Sequence, residues 1–204
     1  MDALTTDDGQ MTRQPDNAYF CLHEEDLYLF PFCTKELYSE EYLRWMNDLE
    51  TTKTLGKFDY LMPVERSKLV EYINGINKNN TVFLAIYLSN DGQSRQMDKA
   101  AMSFIGTLKI YDIDLLSRRA SIGIAIGERS NWGKGYAAKA IRIACNYIFN
   151  TLGMRKITAG YFGNNIGMER AFIKNGFAVE AIFKEHIWVA GEYIDHKFVS
   201  KFRG

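Results

Sequence analysis

Residues 121–144 read S-I-G-I-A-I-G-E-R-S-N-W-G-K-G-Y-A-A-K-A-I-R-I-A, an apolar strand, a turn with two glycines and an amphipathic helix. A turn that leads into a helix leaves the first backbone N–H groups of that helix without intrahelical partners. These donors and the positive end of the helix dipole form a site for phosphate groups. Gly133 and Gly135 let the main chain approach an anion without a side-chain clash. The stretch therefore predicts a site for a phosphate-bearing ligand.

Three kinds of phosphate loop compete for this stretch. A P-loop that uses Gly133-Lys134 as its G-K pair needs glycine at position 128 and Ser or Thr at position 135, and the chain has Glu128 and Gly135 there. The segment 133–138 fits the dinucleotide fingerprint G-x-G-x-x-A, but residues 157–161 offer no carboxylate for a ribose. The third kind is the pyrophosphate loop of acyl-coenzyme A N-acetyltransferases, and further blocks of sequence favour it.

Four spaced blocks resemble the GCN5-related N-acetyltransferase (GNAT) family, in the branch of the ribosomal-protein N-terminal acetyltransferases and the polysaccharide-locus aminosugar acetyltransferases. The loop S-N-W-G-K-G-Y-A at 130–137 is similar to the family's Q/R-x-x-G-x-G/A, with Ser130 at the first position. The segment N-I-G-M-E-R-A-F-I-K-N-G-F at 165–177 is similar to N-x-G-S-x-R-A-F-x-K-x-G-F. The early block Y-L-R-W-M-N-D at 42–48 and a late block at 186–195 complete a resemblance that spans about residues 26–202.

Composition limits the classes of protein to consider. A chain of 204 residues with 47% hydrophobic and 25% charged residues is typical of a globular domain with a real core. Its 25 basic and 25 acidic residues cancel, which argues against a nucleic-acid partner, and no apolar run has the roughly 18 residues of a membrane span. Three cysteines without C-x-x-C spacing favour a reducing cytoplasm, and three histidines form no metal cluster.

The domain organisation follows from the same survey. Residues 1–17 carry four aspartates and no apolar stretch, and we expect them to be a disordered leader rather than a secretory signal. Residues 18–204 are expected to form a single acetyltransferase domain, as a monomer or a homodimer. The polar segment 90–99 is predicted as a mobile hairpin tip.

The resemblance implies the GNAT fold, an α/β (α+β) class with a mixed, mostly antiparallel central sheet of about seven strands flanked by about four helices. The fourth and fifth predicted strands, 120–127 and 156–161, are expected to splay apart. The helix after the loop is predicted by its own apolar stripe, and Gly153 is placed to end it. That stripe consists of Ala137, Ile141, Ala144, Ile148 and Leu152.

Acetyl-coenzyme A (acetyl-CoA) is the cosubstrate that the resemblance implies. Its pantetheine arm would pair with the main chain of the splayed strand at Ile124, Ala125, Ile126 and Gly127. Its pyrophosphate would lie on the loop at Asn131, Trp132, Gly133, Lys134, Gly135, Tyr136 and Ala137. Two residues of the second block would border the other side of the coenzyme, Asn165 and Phe172.

Acetyl transfer needs a neutral amine, a donor for the developing oxyanion and a proton for the departing thiolate. The resemblance predicts the oxyanion donor as a backbone N–H near Ile126. Relatives often carry a proton-donating tyrosine where this chain has Phe172, and relatives of the same branch often carry a serine where it has Met168. Protonation by water or by another tyrosine, such as Tyr161 or Tyr193, therefore stays open.

Two residues are candidates for the base. Glu128 follows the carboxyl end of the splayed strand, where the acceptor is expected, and His186 lies in the penultimate strand with a side chain that titrates near neutrality. The resemblance also places Trp45 and Asn47 at the acceptor wall. The leading hypothesis is an N-acetyltransferase that acts on the primary amine of a small molecule, an amino sugar on a nucleotide carrier. The alternatives are a protein N-terminus or a polyamine as acceptor, and a non-catalytic acyl-CoA-binding module.

Overall fold

The computed structural model describes residues 20–55, 62–76, 78–90 and 99–204. The expected leader, 1–17, and all but the ends of the expected hairpin tip, 90–99, lie outside this part of the chain. Eight strands in it form one sheet in the order β1-β2-β3-β4-β5-β6-β8-β7. The strands are β1 (Leu22–Glu24), β2 (Leu27–Pro31), β3 (Val82–Ser89), β4 (Met102–Asp114), β5 (Arg119–Ile126), β6 (Lys156–Phe162), β7 (Ala178–Val189) and β8 (Glu192–Phe202).

Six α-helices accompany the sheet in the described residues: α1 (Thr34–Leu37), α2 (Glu40–Met46), α3 (Leu49–Thr52), α4 (Arg66–Asn74), α5 (Tyr136–Asn146) and α6 (Ile166–Lys174). The predicted mixed, mostly antiparallel sheet with flanking helices is confirmed. The numbers differ from the predicted seven and four. The extra elements are short: β1 has three residues and α1 and α3 have four each, so none of them is long enough to show a hydrophobic period.

The predicted splay lies between β5 and β6, the fifth and sixth strands because β1 precedes the others. These two strands are parallel, and they pair only from Arg119 to Ser121 with Lys156 to Thr158. A bond between the hydroxyls of Ser121 and Thr158, 2.9 Å long, lies at the last pair. Beyond it the strands diverge, and the edge of residues 122–126 that faces β6 has no partner strand. We call this opening the seam.

Helices α5 and α6 cover one face of the sheet. The predicted stripe of α5 packs into the main core, in which Ile141, Ala144 and Ile148 are fully buried. The helix continues through a π-turn to Thr151, and Gly153 then adopts φ +67°, as its predicted left-handed role requires. The Asn175 amide donates to carbonyls in both α5 and α6, which fixes the two helices against each other beside the seam.

Helices α2 and α4 pack on the opposite face, where they build a second cluster around Trp45 and Leu69. The Trp45 ring lies 4.8 Å from that of Phe104 on β4, and this contact ties α2 to the sheet. Helix α3 and the residues after it therefore reach the seam from the face opposite α5 and α6. No described helix combines the length and the apolar character needed to cross a membrane.

Candidate active site

A cavity of about 720 Å³ occupies the seam. Its walls come from β5 and β6, from the glycine loop and the start of α5, from α6, and from the residues around the end of α3. Because β5 lacks a partner strand here, its free N–H and C=O groups are available to a ligand with amide groups of its own. The cavity passes through the sheet, with the glycine loop on the side of α5 and residues 53–55 on the side of α2 and α4.

The glycine loop has the geometry that its sequence predicts. Gly133 and Gly135 adopt φ +74° and +87°, and a Cβ at either position would meet nothing within 4 Å. Their role is therefore backbone conformation and an open approach rather than packing. Gly135 precedes the first turn of α5 and supplies no side-chain cap, so the first N–H groups of this helix remain free for an anion.

Trp132 anchors the loop to the strand before it. Its indole N–H donates a 2.7 Å hydrogen bond to the carbonyl oxygen of Ile126, and the guanidinium of Arg129 lies 5.8 Å from its ring centre. Its side chain also lines the cavity. These contacts hold the start of the glycine loop against the end of β5.

The charges that line the cavity have one sign. Lys53, Arg170 and Lys174 contribute to its wall, and none of the described lining residues is Asp or Glu. The lining includes most of the residues predicted for the cosubstrate: Ile124, Ala125, Ile126, Asn131, Trp132, Gly133, Gly135, Tyr136, Ala137, Asn165 and Phe172. The seam is therefore suited to an anionic ligand.

Two predicted cosubstrate residues do not line this cavity, Gly127 and Lys134. Gly127 has a packing role instead, since a Cβ there would lie 2.1 Å from Cδ2 of the Trp45 ring. Its N–H donates a 3.0 Å bond to the carbonyl of Ile105 on β4. Lys134 is exposed.

Glu128 lies in a smaller neighbouring cavity of about 230 Å³, together with Arg44, Trp45 and Asp48. An oxygen of its carboxylate is 2.8 Å from Nη2 of Arg44. The hydrogen bond from Arg44 lowers the pKa of Glu128 from its ordinary value, which makes it a weaker base than a free carboxylate. Trp45 lines the same small cavity, and its indole Nε1 is buried without a hydrogen-bond partner in the described residues.

Asn47 holds a loop rather than an open surface. Its Oδ1 accepts from the N–H of Val64 at 2.8 Å, and its Nδ2 donates to the carbonyl of the same residue at 2.9 Å. Both ends of the amide are thus engaged with the segment that leads into α4. Neither Asn47 nor Trp45 lines the main cavity.

His186 lies on the exposed edge strand β7 and does not line the cavity. Its ring lies beside that of His196 on β8, with the centres 6.1 Å apart. His196 is half-buried and contacts the cavity wall at Gly160, where an added Cβ would lie 2.9 Å from Nε2. Burial and the neighbouring His186 lower the pKa of His196. Sequence reasoning missed this residue, because its place beside Gly160 depends on the pairing of β6 with β8.

Tyr161, on β6, forms part of the cavity wall on the side of α6. It is 4% exposed and its ring stacks on that of Phe172 at 5.9 Å; the Glu169 carboxylate lies close enough to act on its hydroxyl but makes no hydrogen bond of ordinary geometry with it in the described residues. Burial and the negative charge of Glu169 raise the pKa of Tyr161, so the phenol stays protonated at neutral pH. Tyr193 is 63% exposed and packs on Trp188, away from the cavity.

The chain is similar to proteins named as N-acetyltransferases. The family model described as an acetyltransferase (GNAT) domain matches residues 26–178. A probable N-acetyltransferase of Bacillus subtilis, YjcK, is 26% identical over 142 residues, which cover 69% of this chain and 72% of the relative. An uncharacterized N-acetyltransferase of Bacillus licheniformis, p20, is 25% identical over 155 residues, 74% of this chain and 80% of the relative.

Solved structures share the fold. Spermidine N-acetyltransferase from Vibrio cholerae, crystallised with CoA and spermine, has a TM-score of 0.72 at 21% identity, with 87% of this chain and 95% of that chain covered. RimJ from Mycobacterium smegmatis, crystallised with CoA-disulfide, has a TM-score of 0.69 at 19% identity, with 86% and 81% covered. Likeness at this level of identity speaks for the fold and leaves the acceptor open.

Proposed function

The chain belongs to the acetyltransferase (GNAT) family and is an acetyl-CoA-dependent acyltransferase, and we propose that its acceptor is the primary amine of a small neutral or anionic molecule. An amino sugar on a nucleotide carrier is the representative of this class. The observation that carries the proposal is that Lys53 lies on the acceptor's side of a lining that has no carboxylate among the described residues, while Arg170 and Lys174, on α6, lie where the coenzyme would bind. Such a wall attracts phosphates and repels polycations.

Acetyl-CoA fits the seam in two respects. Its pantetheine arm has two amides that would pair with the open edge of β5 around Ile124 and Ile126, where the Ile126 carbonyl is already bonded to Trp132, and its pyrophosphate would accept from the N–H groups at the start of α5. In this proposal Asn131–Gly133 and Gly135–Ala137 border the pyrophosphate, and Asn165 and Phe172 border the arm. The thioester then lies where the sheet opens.

The acceptor would enter from the other face. The glycine loop and α6 would be occupied by the coenzyme, which leaves the mouth between residues 53–55 and Gly160 for the second substrate. The amine would attack the thioester carbon from that side in a ternary complex. A backbone N–H near Ile126 would donate to the developing oxyanion, in a strand whose position Trp132 fixes.

Three carboxylates near this mouth are paired with cations in the described residues. Glu50 binds Lys53 at 2.6 Å, Glu128 binds Arg44 at 2.8 Å, and Asp48 lies 3.7 Å from Arg129. A polyamine would have to displace these partners to gain a negative wall. We therefore rank a monoamine that is otherwise neutral or anionic above a polyamine or a cationic protein N-terminus, which remain the alternatives.

An acceptor screen tests the proposal. Free CoA formation from acetyl-CoA is measured with a UDP-linked amino sugar, glucosamine 6-phosphate, spermidine and an alanine-terminated peptide. We expect the phosphorylated amino sugars to give the highest kcat/KM. Spermidine or the peptide as the best substrate would refute the acceptor class and leave the acetyltransferase assignment intact.

A charge-reversed variant sharpens that test. Lys53→Glu should lower kcat/KM for the phosphorylated amines and raise it for spermidine, because it reverses the lining cation at the acceptor's mouth. Lys184→Glu, on an exposed side chain that pairs with Asp195 outside the cavity, is the matched control and should change neither value. Equal effects of the two variants would mean that the wall charge does not select the acceptor.

A further inference from the structure

His196, on β8, does not itself line the cavity, but it lies directly behind Gly160, which does, on the face where the acceptor would enter. Along β6, Tyr161 points to α6, where it meets Phe172, so its neighbour Gly160 faces the opposite side of the sheet. His196 is on that side too, since an added Cβ at Gly160 would lie 2.9 Å from its Nε2. Gly160 itself lines the cavity. The absence of a side chain at Gly160 thus lets the imidazole lie against the wall of the seam.

The imidazole of His196 is uncommitted. None of the hydrogen bonds and ion pairs within the described residues involves its ring nitrogens, and the side chain is only half-buried. Its ring is held by aromatic neighbours: Phe198 at 4.3 Å on its own strand, Phe162 at 5.7 Å on β6, and His186 at 6.1 Å on β7. The ring is therefore fixed in place while its nitrogens stay free.

We propose that His196 is the general base of acetyl transfer and accepts the proton of the attacking amine at Nε2. The proposal rests on the acetyltransferase function and names a residue for a step that the rest of the site leaves without one. As the amine nitrogen bonds to the thioester carbon, its N–H proton passes to Nε2. The carbon–sulfur bond then breaks, the electron pair goes to sulfur, and the thiolate takes a proton from water. The imidazolium releases its proton to solvent through its exposed edge.

The protonation state supports this role. The groups that face the ring are His186 on β7, Phe162 and Gly160 on β6, and Phe198 on β8, so the one titratable group among them is a second histidine. Burial and His186 lower the pKa of His196, which keeps its imidazole neutral at pH 7. Glu128 is less suited, because Arg44 holds its carboxylate in an ion pair.

The test compares pH profiles of His196→Gln and the wild type, with the fastest amine of the acceptor screen. We expect kcat to fall about 100-fold at pH 7 in the variant, in line with the usual contribution of a general base. On the acid limb below the pKa of His196, the slope of log kcat/KM against pH should be two in the wild type and one in the variant, because only the amine still titrates there. Acetyl-CoA affinity by calorimetry should be unchanged, which separates a catalytic role from a structural one.

A matched variant changes the neighbour instead. His186→Gln removes the second imidazole, so the acid limb of the profile should move to higher pH while kcat at pH 8 stays within twofold of the wild type. A profile of His196→Gln that keeps the wild-type slope and rate would overturn the proposal. So would equal losses of kcat in the two variants.

Hydrolysis of acetyl-CoA without any amine keeps this test independent of the acceptor. Water then takes the place of the amine and needs the same base, and thiol release is followed with a disulfide reagent. We expect His196→Gln to slow the enzyme's hydrolysis at least tenfold. Wild-type hydrolysis that is retained in the variant, or that does not exceed the rate in buffer, overturns the role of His196. Hydrolysis that depends on His196 without transfer to any amine would instead refute the proposed acceptor class.

Discussion

The Glu36 cluster and the seam differ in how far their buried polar groups are hydrogen-bonded. The Glu36 carboxylate is fully buried and receives Lys99 Nζ at 2.6 Å, the Tyr87 hydroxyl at 2.5 Å, and the N–H and thiol of Cys33 at 2.9 Å each. At the seam, one edge of β5 and the hydroxyl of Tyr161 have no partner in the described residues. A buried polar group with its full set of partners stabilises the fold, whereas unpartnered groups around a cavity indicate a ligand site.

The comparison is tested most strongly at Glu36. Glu36→Gln should lower the free energy of unfolding by about 3 kcal/mol, because it leaves the largely buried Lys99 ammonium without its counter-ion. Urea denaturation measures the loss. The acetyl-CoA affinity of the folded variant should equal that of the wild type, and the double variant Glu36→Gln/Lys99→Met should recover part of the stability. A loss of affinity with little change in stability would contradict the assignment of this cluster to the fold.

Glu36 should also affect how the free energy of unfolding falls at acidic pH. Burial raises the pKa of Glu36, but the hydrogen bonds from Cys33, Lys99 and Tyr87 outweigh it and hold the pKa below its ordinary value. A carboxyl with a lowered native pKa stabilises the fold above its unfolded pKa of about 4.3, and that stability is lost as the pH falls through the native pKa. The variant should therefore lose less stability than the wild type between pH 5 and the native pKa.

At the seam, by contrast, substitutions should lower acetyl-CoA affinity rather than stability. Gly135→Glu should weaken acetyl-CoA binding at least 100-fold, about 2.7 kcal/mol, because it places a carboxylate and a strained backbone at the anion site. Gly135→Ala adds the strain without the charge, so the acetyl-CoA affinity of this variant should fall less than about tenfold. Calorimetry gives both values. Equal losses in the two variants would mean that backbone conformation, and not the anion site, controls binding.

Close packing at the end of β5 is tested by Gly127→Ala. The new Cβ would lie 2.1 Å from the Trp45 ring, so we expect the free energy of unfolding to fall by about 1–3 kcal/mol. Gly123→Ala, on the same strand, is the control, since its Cβ would meet only Cε1 of Tyr111 at 3.7 Å. Thermal unfolding distinguishes them, and a loss of similar size in both would point to a general intolerance of β5.

The smallest effect is expected at Tyr161. Tyr161→Phe removes a buried hydroxyl that has no hydrogen bond in the described residues, so the free protein should be unchanged or gain up to about 1 kcal/mol of stability. Denaturant titration measures it. A loss of more than about 1 kcal/mol would show that the hydroxyl has a structural partner.

The resemblance to the GNAT family predicted the fold and the cosubstrate, and the spacing of residues predicted several local features. The glycine loop, the apolar stripe of α5 and its end at Gly153 are set by neighbours in the chain, so spacing alone predicts them. Antiparallel pairs of consecutive strands, such as β4 with β5 and β7 with β8, are local features of the same kind. The short elements β1, α1 and α3 were missed because three or four residues carry no period.

Long-range pairs explain what the sequence did not reveal. Glu128 meets Arg44 across 84 positions, and that ion pair weakens it as a base in a way that neither residue predicts alone. His196 comes to the seam only through the register of β6 with β8, while His186, predicted in the same hairpin, lies on the outer strand. The close contact between Gly127 and the Trp45 ring could not be predicted either, because it forms only when α2 packs on the sheet.

Amide hydrogen exchange with and without acetyl-CoA tests the central claim most directly. The claim is that the coenzyme completes the sheet along the open edge of β5. We predict that saturating acetyl-CoA slows exchange of the amides in residues 122–126 that face the seam and of those at the start of α5, and leaves β3, already paired on both sides, unchanged. Tight binding without protection of β5 would contradict the account.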